Sequence, residues 1–273
     1  CSSASCPYPQ VHLRMLSFYE RNHEHSHRGG DLQKCDRYPY TGYLRMKIWY
    51  EHLFGKLDKQ DIQFMRVWAD VHPEESDEAL AQGFIQLEDA WQQVRAVRIH
   101  IETFVQKAKQ PKTDPDIIAE KIYGSEATLM MPQLMPIYET YLDHHGYTML
   151  EPNPLEDIGH ADTVWLYKLH NDLIGFSVWT TYMKSLDNWQ MAWNYADFKL
   201  QLGKYSLWHE ILHAHELGYK WFYLGASYDK SCKWKASIPG FEWWNGKEWS
   251  DNKDTYKDAI QKDISFKIEF EDN

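Results

Sequence analysis

The sequence contains few cysteines, few cations relative to anions, and no long apolar run. Its 4 cysteines among 273 residues are too few and too scattered for a disulfide framework, which favours a reducing, cytoplasmic location. Lysine and arginine number 29 against 40 acidic residues, and this net charge of −11 argues against a general nucleic-acid binder, because phosphate contacts need clustered cations. No apolar run matches the length of a membrane span or a secretory signal. We therefore expect a globular cytoplasmic protein without a membrane partner.

Aromatic residues, by contrast, are abundant, with 13 tryptophans, 18 tyrosines and 11 phenylalanines. Hydrophobic residues make up 43% of the chain and charged residues 25%, as in ordinary globular domains. Large amphipathic side chains suit both half-buried sheet faces and binding grooves. A tryptophan-rich core is the simpler of these two explanations, and we favour it.

Residues 1–115 are predicted to form a partly helical N-terminal region. Residues 43–50 alternate as in a strand. From 73 to about 109 the apolar positions follow a helical period, and those on one face are Phe84, Leu87, Trp91 and Val94. Residues 97–104 also alternate, so the pattern leaves a strand open there.

Residues 116–250 show the alternation of helices and strands expected of one α/β (α+β) domain. The predicted helices are 115–124, 132–145 and 206–217, the predicted strands are 163–169, 173–182, 189–195 and 220–224, and a hairpin is predicted at 241–249. Turn residues at Asn171 and Asp172 join the first two strands. Residues 251–273 form an acidic tail, in which 264–270 are a candidate edge strand.

Four short motifs lie in the second half of this domain. Residues 202–206 read LGKYS, 216–220 read ELGYK, 223–225 read YLG and 232–235 read CKWK. Together they resemble the LG-x-x-S, ELG-x-K, YLG and C-x-x-x-YK segments of arginyl-tRNA–protein transferases, which have the GNAT acyltransferase fold. Asp197 lies where that family often has an acidic residue. The resemblance covers roughly a third of the chain. It implies a GNAT-like domain with a mixed, mostly antiparallel sheet over residues 116–250, preceded by the helical region.

The N-terminal half departs from that family. Cys35, followed by residues 38–46, is similar to the cysteine-bearing strand of the family. However, the paired cysteines are missing and residues 60–71 lack the arginine-rich run. Both departures weaken the case for tRNA binding and for a metal at those cysteines.

The resemblance implies transfer of an aminoacyl or other acyl group from a tRNA-like donor to an amine of a protein or small molecule. Such a reaction needs a neutral amine, a proton acceptor and donors for the developing oxyanion. Asp197 is the candidate base or amine-orienting carboxylate, and the hydroxyls of Tyr228 and Ser206 are candidate donors to the carbonyl. The plainer explanations are that Asp197 ends a strand and that Ser206 caps a helix.

Donor binding is expected where two neighbouring parallel strands separate in the GNAT fold. Here these are the strand ending near Tyr195 and the strand at 220–224. The candidate donor-binding residues are Gly203, Lys204 and Tyr205, at the start of the intervening helix, and Lys235, as a cation for a phosphate or carboxylate. The plainer explanation of Lys235 is a solvated lysine.

The start of that helix separates coenzyme A users from users of other donors. Acetyl-CoA enzymes of the fold usually carry a Q/R-x-x-G-x-G/A loop whose amides bind pyrophosphate. Residues 201–206 read QLGKYS, with Gly203 as the single glycine and bulky Tyr205 in place of the second. The sequence thus favours an aminoacyl-tRNA or other non-CoA donor and no bound cofactor. An acyl-CoA N-acetyltransferase and a non-catalytic binding or structural module of the same fold remain alternatives.

A zinc-protease motif overlaps the same helix. His209, Glu210 and His213 form a literal HExxH, which on a helix places two imidazoles one turn apart. The extended metzincin pattern fails, because it requires glycine where His215 stands and histidine where Tyr219 stands. We therefore predict no metal site, and a zinc metalloprotease is the least favoured alternative.

Overall fold

The computed structural model describes residues 46–57, 60–87, 90–147, 149, 153–195, 200–265 and 268–270. The strands are β1 (Lys47–Leu57), β2 (Gln60–Asp70), β3 (Phe84–Leu87), β4 (Ala90–Gln93), β5 (Ala96–His100), β6 (Ile117–Ile122), β7 (Thr163–Leu169), β8 (Asp172–Thr181), β9 (Ser185–Trp193), β10 (Trp221–Ala226), β11 (Phe241–Trp244), β12 (Trp249–Ser250) and β13 (Ile268–Phe270). The helices are α1 (Ser76–Ala81), α2 (Ile101–Lys107), α3 (Gly124–Leu129), α4 (Met131–His145), α5 (Leu202–Glu216) and α6 (Lys253–Ser265), with 3₁₀ helices at Pro73–Glu75, Pro154–His160 and Lys230–Ser237.

These strands form two sheets. The larger has eight strands in the order β12-β11-β5-β10-β9-β8-β7-β6, and every neighbouring pair in it is antiparallel except β9 and β10. The smaller has five antiparallel strands in the order β13-β1-β2-β4-β3. The predicted fold class, an α/β arrangement with a mixed, mostly antiparallel sheet, is confirmed. Where the structure describes it, the region before residue 116, predicted to be helical, contains the strands β1 to β5 and only the short α-helices α1 and α2.

The larger sheet is buried on both faces. Trp165 and Tyr167 of β7 pack with α2, α5 and α6 on one face, whereas Val164 and Leu166 of the same strand pack against α4 on the other. This alternation follows from the period of two along a strand. Farther along the second face, Tyr223 of β10 packs in one cluster with residues of the smaller sheet. The larger sheet is therefore the middle layer of the molecule.

Two turns lie close to where the sequence predicts them, although the first is shifted by one residue from the predicted pair Asn171 and Asp172. His170 and Asn171, between β7 and β8, have φ values of 52° and 72°, as a tight hairpin turn requires. Gly146 closes α4 in the left-handed conformation with φ of 70°. The predicted hairpin, the helix at 132–145 and the strands that follow are confirmed, although β9 begins at Ser185 rather than at 189.

Two predicted helices are wrong. Residues 84–100 form β3, β4 and β5 in place of the middle of a long helix, with Phe84 opposite Gln93 in an antiparallel pair. These short strands are buried on both sides, so their apolar spacing also satisfies a helical period. Residues 117–122 form β6, paired along its length with β7, and not a helix between 115 and 124. Within the part of the chain that the structure describes, no helix is both long and apolar enough to cross a membrane.

Gly124 shows how closely α3 packs against the 3₁₀ helix Pro154–His160. A Cβ added at Gly124 would lie 2.3 Å from the carbonyl oxygen of Ile158 and 2.5 Å from that of Ala161. Backbone atoms in a packed core do not withdraw easily, and we expect Gly124→Ala to lower the free energy of unfolding by ~2 kcal/mol or more. Chemical denaturation of the variant measures this loss.

Gly203→Ala is the matched control on another helix. A Cβ at Gly203 would have its nearest contact at 3.7 Å, with Trp193 Nε1, which is ordinary van der Waals separation. Alanine is favoured over glycine inside a helix by ~1 kcal/mol, so this variant should be as stable as the parent or more so. Equal stability of the two alanine variants would contradict the close packing at Gly124.

Candidate functional site

The single parallel strand pair of the larger sheet separates partway along its length. β9 and β10 pair from Trp221 opposite Ser185 to Tyr223 opposite Asp187, and the pairing stops there although both strands continue. The backbone groups beyond this point are therefore not bonded across the two strands. This is the arrangement that the sequence led us to expect for the acyl group.

Asp187 marks the point of separation. Its side chain is 4% exposed and accepts a hydrogen bond from the Gly225 N–H of β10, while its Oδ1 is buried without a partner. Burial raises the pKa of Asp187 to about 6, against the opposing effects of Lys235 and the Gly225 N–H. A carboxylate at the cleft thus changes its charge close to neutral pH.

Lys235 bonds to β10 along its separated stretch. From the 3₁₀ helix Lys230–Ser237, its Nζ donates to the carbonyl oxygens of Leu224 at 2.8 Å and Ala226 at 3.2 Å, and to Ser227 Oγ at 3.1 Å. The side chain is 8% exposed, so the expectation of a solvated lysine is wrong. Its positive charge lowers the pKa of Asp187, so the two groups interact electrostatically.

Glu210, on α5, lies beneath β9, the strand that carries Asp187. Its carboxylate accepts from the Tyr167 hydroxyl at 2.6 Å, from Trp179 Nε1 at 2.5 Å and from Asn188 Nδ2 at 2.7 Å. Burial raises the pKa of Glu210 to about 7, although these donors and Ser177 oppose the shift. Because Asn188 follows Asp187 directly, Glu210 anchors the strand that carries the cleft carboxylate.

The side chains of the HExxH motif contact residues of the larger sheet. His209 and His213 both pack edge-on to Trp165, with ring centroids 4.8 Å and 5.0 Å away. Glu210, which a zinc protease would use as its base, is bonded to the donors of β7, β8 and β9. In the described ranges no group of three His, Cys, Asp or Glu side chains is placed to hold a metal ion.

The residues at the start of α5 lie together. The helix begins at Leu202, with Gln201 as its N-cap at φ of 47°, so the expectation that Ser206 caps the helix is wrong. Ser206 is buried, and its hydroxyl donates to the Gly203 carbonyl at 3.2 Å. Lys204 Nζ donates to the Gln201 side chain at 3.3 Å, and the Tyr205 ring stacks on His209 at 5.9 Å.

Tyr228 contacts Arg95, the residue directly before β5. The Tyr228 hydroxyl accepts from the Arg95 N–H at 2.9 Å, and its ring lies 5.0 Å from the Arg95 guanidinium, which ties the end of β10 to the start of β5. Asp197 lies outside the described residues. The structure thus joins Lys235 with the separated strands and groups Gly203, Lys204 and Tyr205 at the helix start.

Sequence reasoning missed Asp187. The strand was predicted to begin at 189, so Asp187 fell in the expected loop, where an acidic residue is unremarkable. The signal was a lone carboxylate in the otherwise uncharged stretch 185–195, directly before Asn188 and Trp189. A charged residue inside a central strand is a site candidate, because burial of an ion needs a compensating reason.

Comparisons with known proteins give distant structural similarities only. No family model matches the chain, and no curated protein matches it. A C-terminal domain of a putative lysylphosphatidylglycerol synthetase from Agrobacterium fabrum is 13% identical, with 73% of this chain and 64% of that one covered at a TM-score of 0.40. FemX is 8% identical over 76% and 69%, with a TM-score of 0.41. A GCN5-related N-acetyltransferase from Kribbella flavida is 12% identical over 48% and 47%, with a TM-score of 0.33. The chain spans less than two thirds of the Agrobacterium fabrum structure, and similarities of this size assign no activity.

Proposed function

We propose that the chain transfers an acyl group, of the aminoacyl type, from a tRNA-like donor to an amine. The observation that carries the proposal is the separation of β9 from β10 directly after Asp187, which leaves a buried carboxylate beside unpaired strand edges. The resemblance of residues 202–235 to arginyl-tRNA–protein transferases supports the aminoacyl donor.

Asp187 is the group best placed to accept a proton in this reaction. The amine nitrogen attacks the carbonyl carbon of the donor ester, a C–N bond forms, and the ester C–O bond breaks. The proton that nitrogen releases passes to the ionised Asp187, and Asp187 then gives it to the departing ribose oxygen, so the carboxylate is ionised again at the end of the reaction. The Gly225 N–H holds the carboxylate at the edge of the cleft. Asp197, Tyr228 and Ser206 remain proposed contributors as base and carbonyl donors.

The start of α5 supports a donor other than coenzyme A. The half-buried ring of Tyr205 stacks on His209 within the first helical turn, where a pyrophosphate loop would need a small residue. Gly203 has room for a Cβ, so the fold alone does not require a glycine there. Gly203, Lys204, Tyr205 and Lys235 are the proposed donor-binding residues.

The proposal is tested by following label from two donors. A pool of tRNA charged with labelled amino acids and, separately, labelled acetyl-CoA are incubated with the protein and a cell extract as acceptor. We expect label from tRNA in a ribonuclease-resistant, acid-stable product. Label from acetyl-CoA alone would overturn the donor and move the chain to the N-acetyltransferases. No label from either donor would count against the transferase proposal.

A non-catalytic module of the same fold is the second candidate, and Lys235 favours it. Its Nζ already bonds to two carbonyl oxygens on the separated part of β10, so the protein itself fills part of the cleft. A catalyst has to keep room there for the acyl carbonyl. Transfer by the parent that is lost in Asp187→Asn supports the enzyme. Absence of transfer in the parent as well supports the module.

A further inference from the structure

β9 contains a bulge close to the point where it leaves β10. The pairing of β8 with β9 shifts by one residue between Val178 and Trp179, which makes Trp189 an extra residue in β9. Asp187, the last residue of β9 that pairs with β10, comes shortly before it in the chain. A bulge bends the strand that contains it and interrupts regular pairing. The bend in β9 therefore accounts for the separation of the two strands.

The packing on both faces of the larger sheet requires this extra residue. Leu186, before the bulge, and Trp193, after it, belong to the same core cluster on the α5 face, although they lie an odd number of positions apart. In a regular strand such residues face opposite sides. Ala192 packs in the cluster on the α4 face. Without the bulge, Trp193 would face α4 and Ala192 would face α5, so the bulge is a fixed part of the fold.

Glu210 bonds to both residues of the last regular pair before the bulge. Trp179 and Asn188 lie opposite each other in β8 and β9, and their side-chain N–H groups donate to the same carboxylate oxygen, Oε2, at 2.5 Å and 2.7 Å. The Glu210 side chain is 0% exposed, so water does not compete for these bonds. Hydrogen bonds to a buried carboxylate are short and strong. The position of Asn188 relative to α5 is therefore fixed from within the core.

The other oxygen of Glu210 bonds away from the bulge. Its Oε1 accepts from the Tyr167 hydroxyl at 2.6 Å. Tyr167 is in β7, which β8 separates from β9 in the sheet. One carboxylate thus holds the bulge through Oε2 and a more distant strand through Oε1. The donors to the two oxygens can be removed separately, which distinguishes a role in the cleft from a role in the stability of the sheet.

We propose that Glu210 is a positioning residue for transfer, because its Oε2 holds the bulge of β9 and thereby the direction in which β9 leaves β10. This inference rests on the proposed function, and it gives a role to the buried glutamate of the HExxH motif. Glu210 touches no substrate in this role. It acts through Asn188 on Asp187, the preceding residue of β9, and on the unpaired strand edge beyond them. A displacement of ~1 Å at a reacting centre lowers the rate by up to ~100-fold, so the effect falls on kcat.

Variants that remove one donor at a time test the proposal, because removal of the whole Glu210 side chain would leave three buried donors without an acceptor. Asn188→Ala removes a bond between Oε2 and the bulge. We expect it to lower the kcat of transfer roughly tenfold or more, while the KM for charged tRNA changes by less than about twofold. Tyr167→Phe, the matched control, removes the bond to Oε1. Its kcat should stay within about twofold of the parent, and urea denaturation compares the stability of the two variants.

Glu210→Gln is the conservative variant. Its amide oxygen can accept from Trp179 and Asn188, and its amide nitrogen can donate to the Tyr167 hydroxyl, so its kcat should stay within roughly threefold of the parent. Hydrogen exchange of the backbone amides of residues 188–193, measured by mass spectrometry, reports on the bulge without any donor. Exchange there should accelerate roughly tenfold in Asn188→Ala and stay unchanged in Tyr167→Phe.

The outcomes separate this inference from the proposed function. Slower transfer in Asn188→Ala with unchanged exchange overturns the positioning role and keeps the transferase. Equal losses of kcat in Asn188→Ala and Tyr167→Phe also overturn it, because Glu210 then only stabilises the domain. Faster exchange confined to residues 188–193 of Asn188→Ala, in a protein that transfers from no donor, supports the hold of Glu210 on the bulge and overturns the transferase. Unchanged exchange in such a protein overturns both.

Discussion

Replacing Asp187 with asparagine is expected to abolish transfer and, at about pH 8, to stabilise the folded chain. Burial raises the pKa of Asp187 to about 6, whereas an aspartate in an unfolded chain ionises near pH ~4. The stability that protonated Asp187 contributes is therefore complete below about pH 4 and is lost as the pH rises through about 6. Asparagine has no charge to desolvate, so it avoids a loss of at most ~3 kcal/mol.

Urea denaturation at about pH 5 and pH 8 measures this effect, and the transfer assay measures the activity. The other groups with shifted pKa values, including Glu210, are common to both proteins, so the difference between variant and parent isolates Asp187. Asp143→Asn, which removes an exposed carboxylate from α4, should change neither property. Transfer retained by Asp187→Asn, or a variant less stable than the parent at both pH values, would show that the carboxylate has a structural role only.

Features set by neighbouring residues were predictable from the sequence. A turn between β7 and β8, the end of α4 at Gly146 and the two strands themselves all follow from local turn and alternation rules, although the turn lies one residue earlier than predicted. The parallel pair was expected from the resemblance of residues 202–235 to a family with the GNAT fold, which implied that the strand ending near Tyr195 and the strand at 220–224 are parallel neighbours. Local signals, together with that resemblance, thus predicted the fold class.

Features set by long-range pairing were not predictable. β3, β4 and β6 have apolar residues at spacings that suit both a helix and a buried strand, and their partners decide between the two. Asp187 becomes a site residue only because β10, from a distant part of the chain, stops pairing beside it. Lys235 is buried because Leu224 and Ala226 turn unpaired carbonyl oxygens toward it. A single sequence does not show which distant residues come into contact in the fold.

Replacing Lys235 with methionine is expected to lower the free energy of unfolding by ~3–5 kcal/mol, the range for breaking a buried charged contact. Methionine fills similar space but donates nothing, so the oxygens of Leu224, Ala226 and Ser227 lose a donor. Asp187 also loses the charge that lowers its pKa. Without this charge the pKa of Asp187 rises. Because Asp187 must be ionised to accept the proton, the pH at which transfer by the folded Lys235→Met protein reaches its plateau should move upward.

The double variant Lys235→Met with Asp187→Asn separates these two effects. Removing the carboxylate removes the part of the loss that arises from an uncompensated buried charge, so the double variant should be more stable than the sum of the single changes indicates. The part that arises from the three oxygen acceptors should remain. Additive losses, together with an unshifted pH profile in Lys235→Met, would mean that Lys235 only holds β10 in place. A coupled loss with a shifted profile would make it the residue that sets the charge of Asp187 in the cleft.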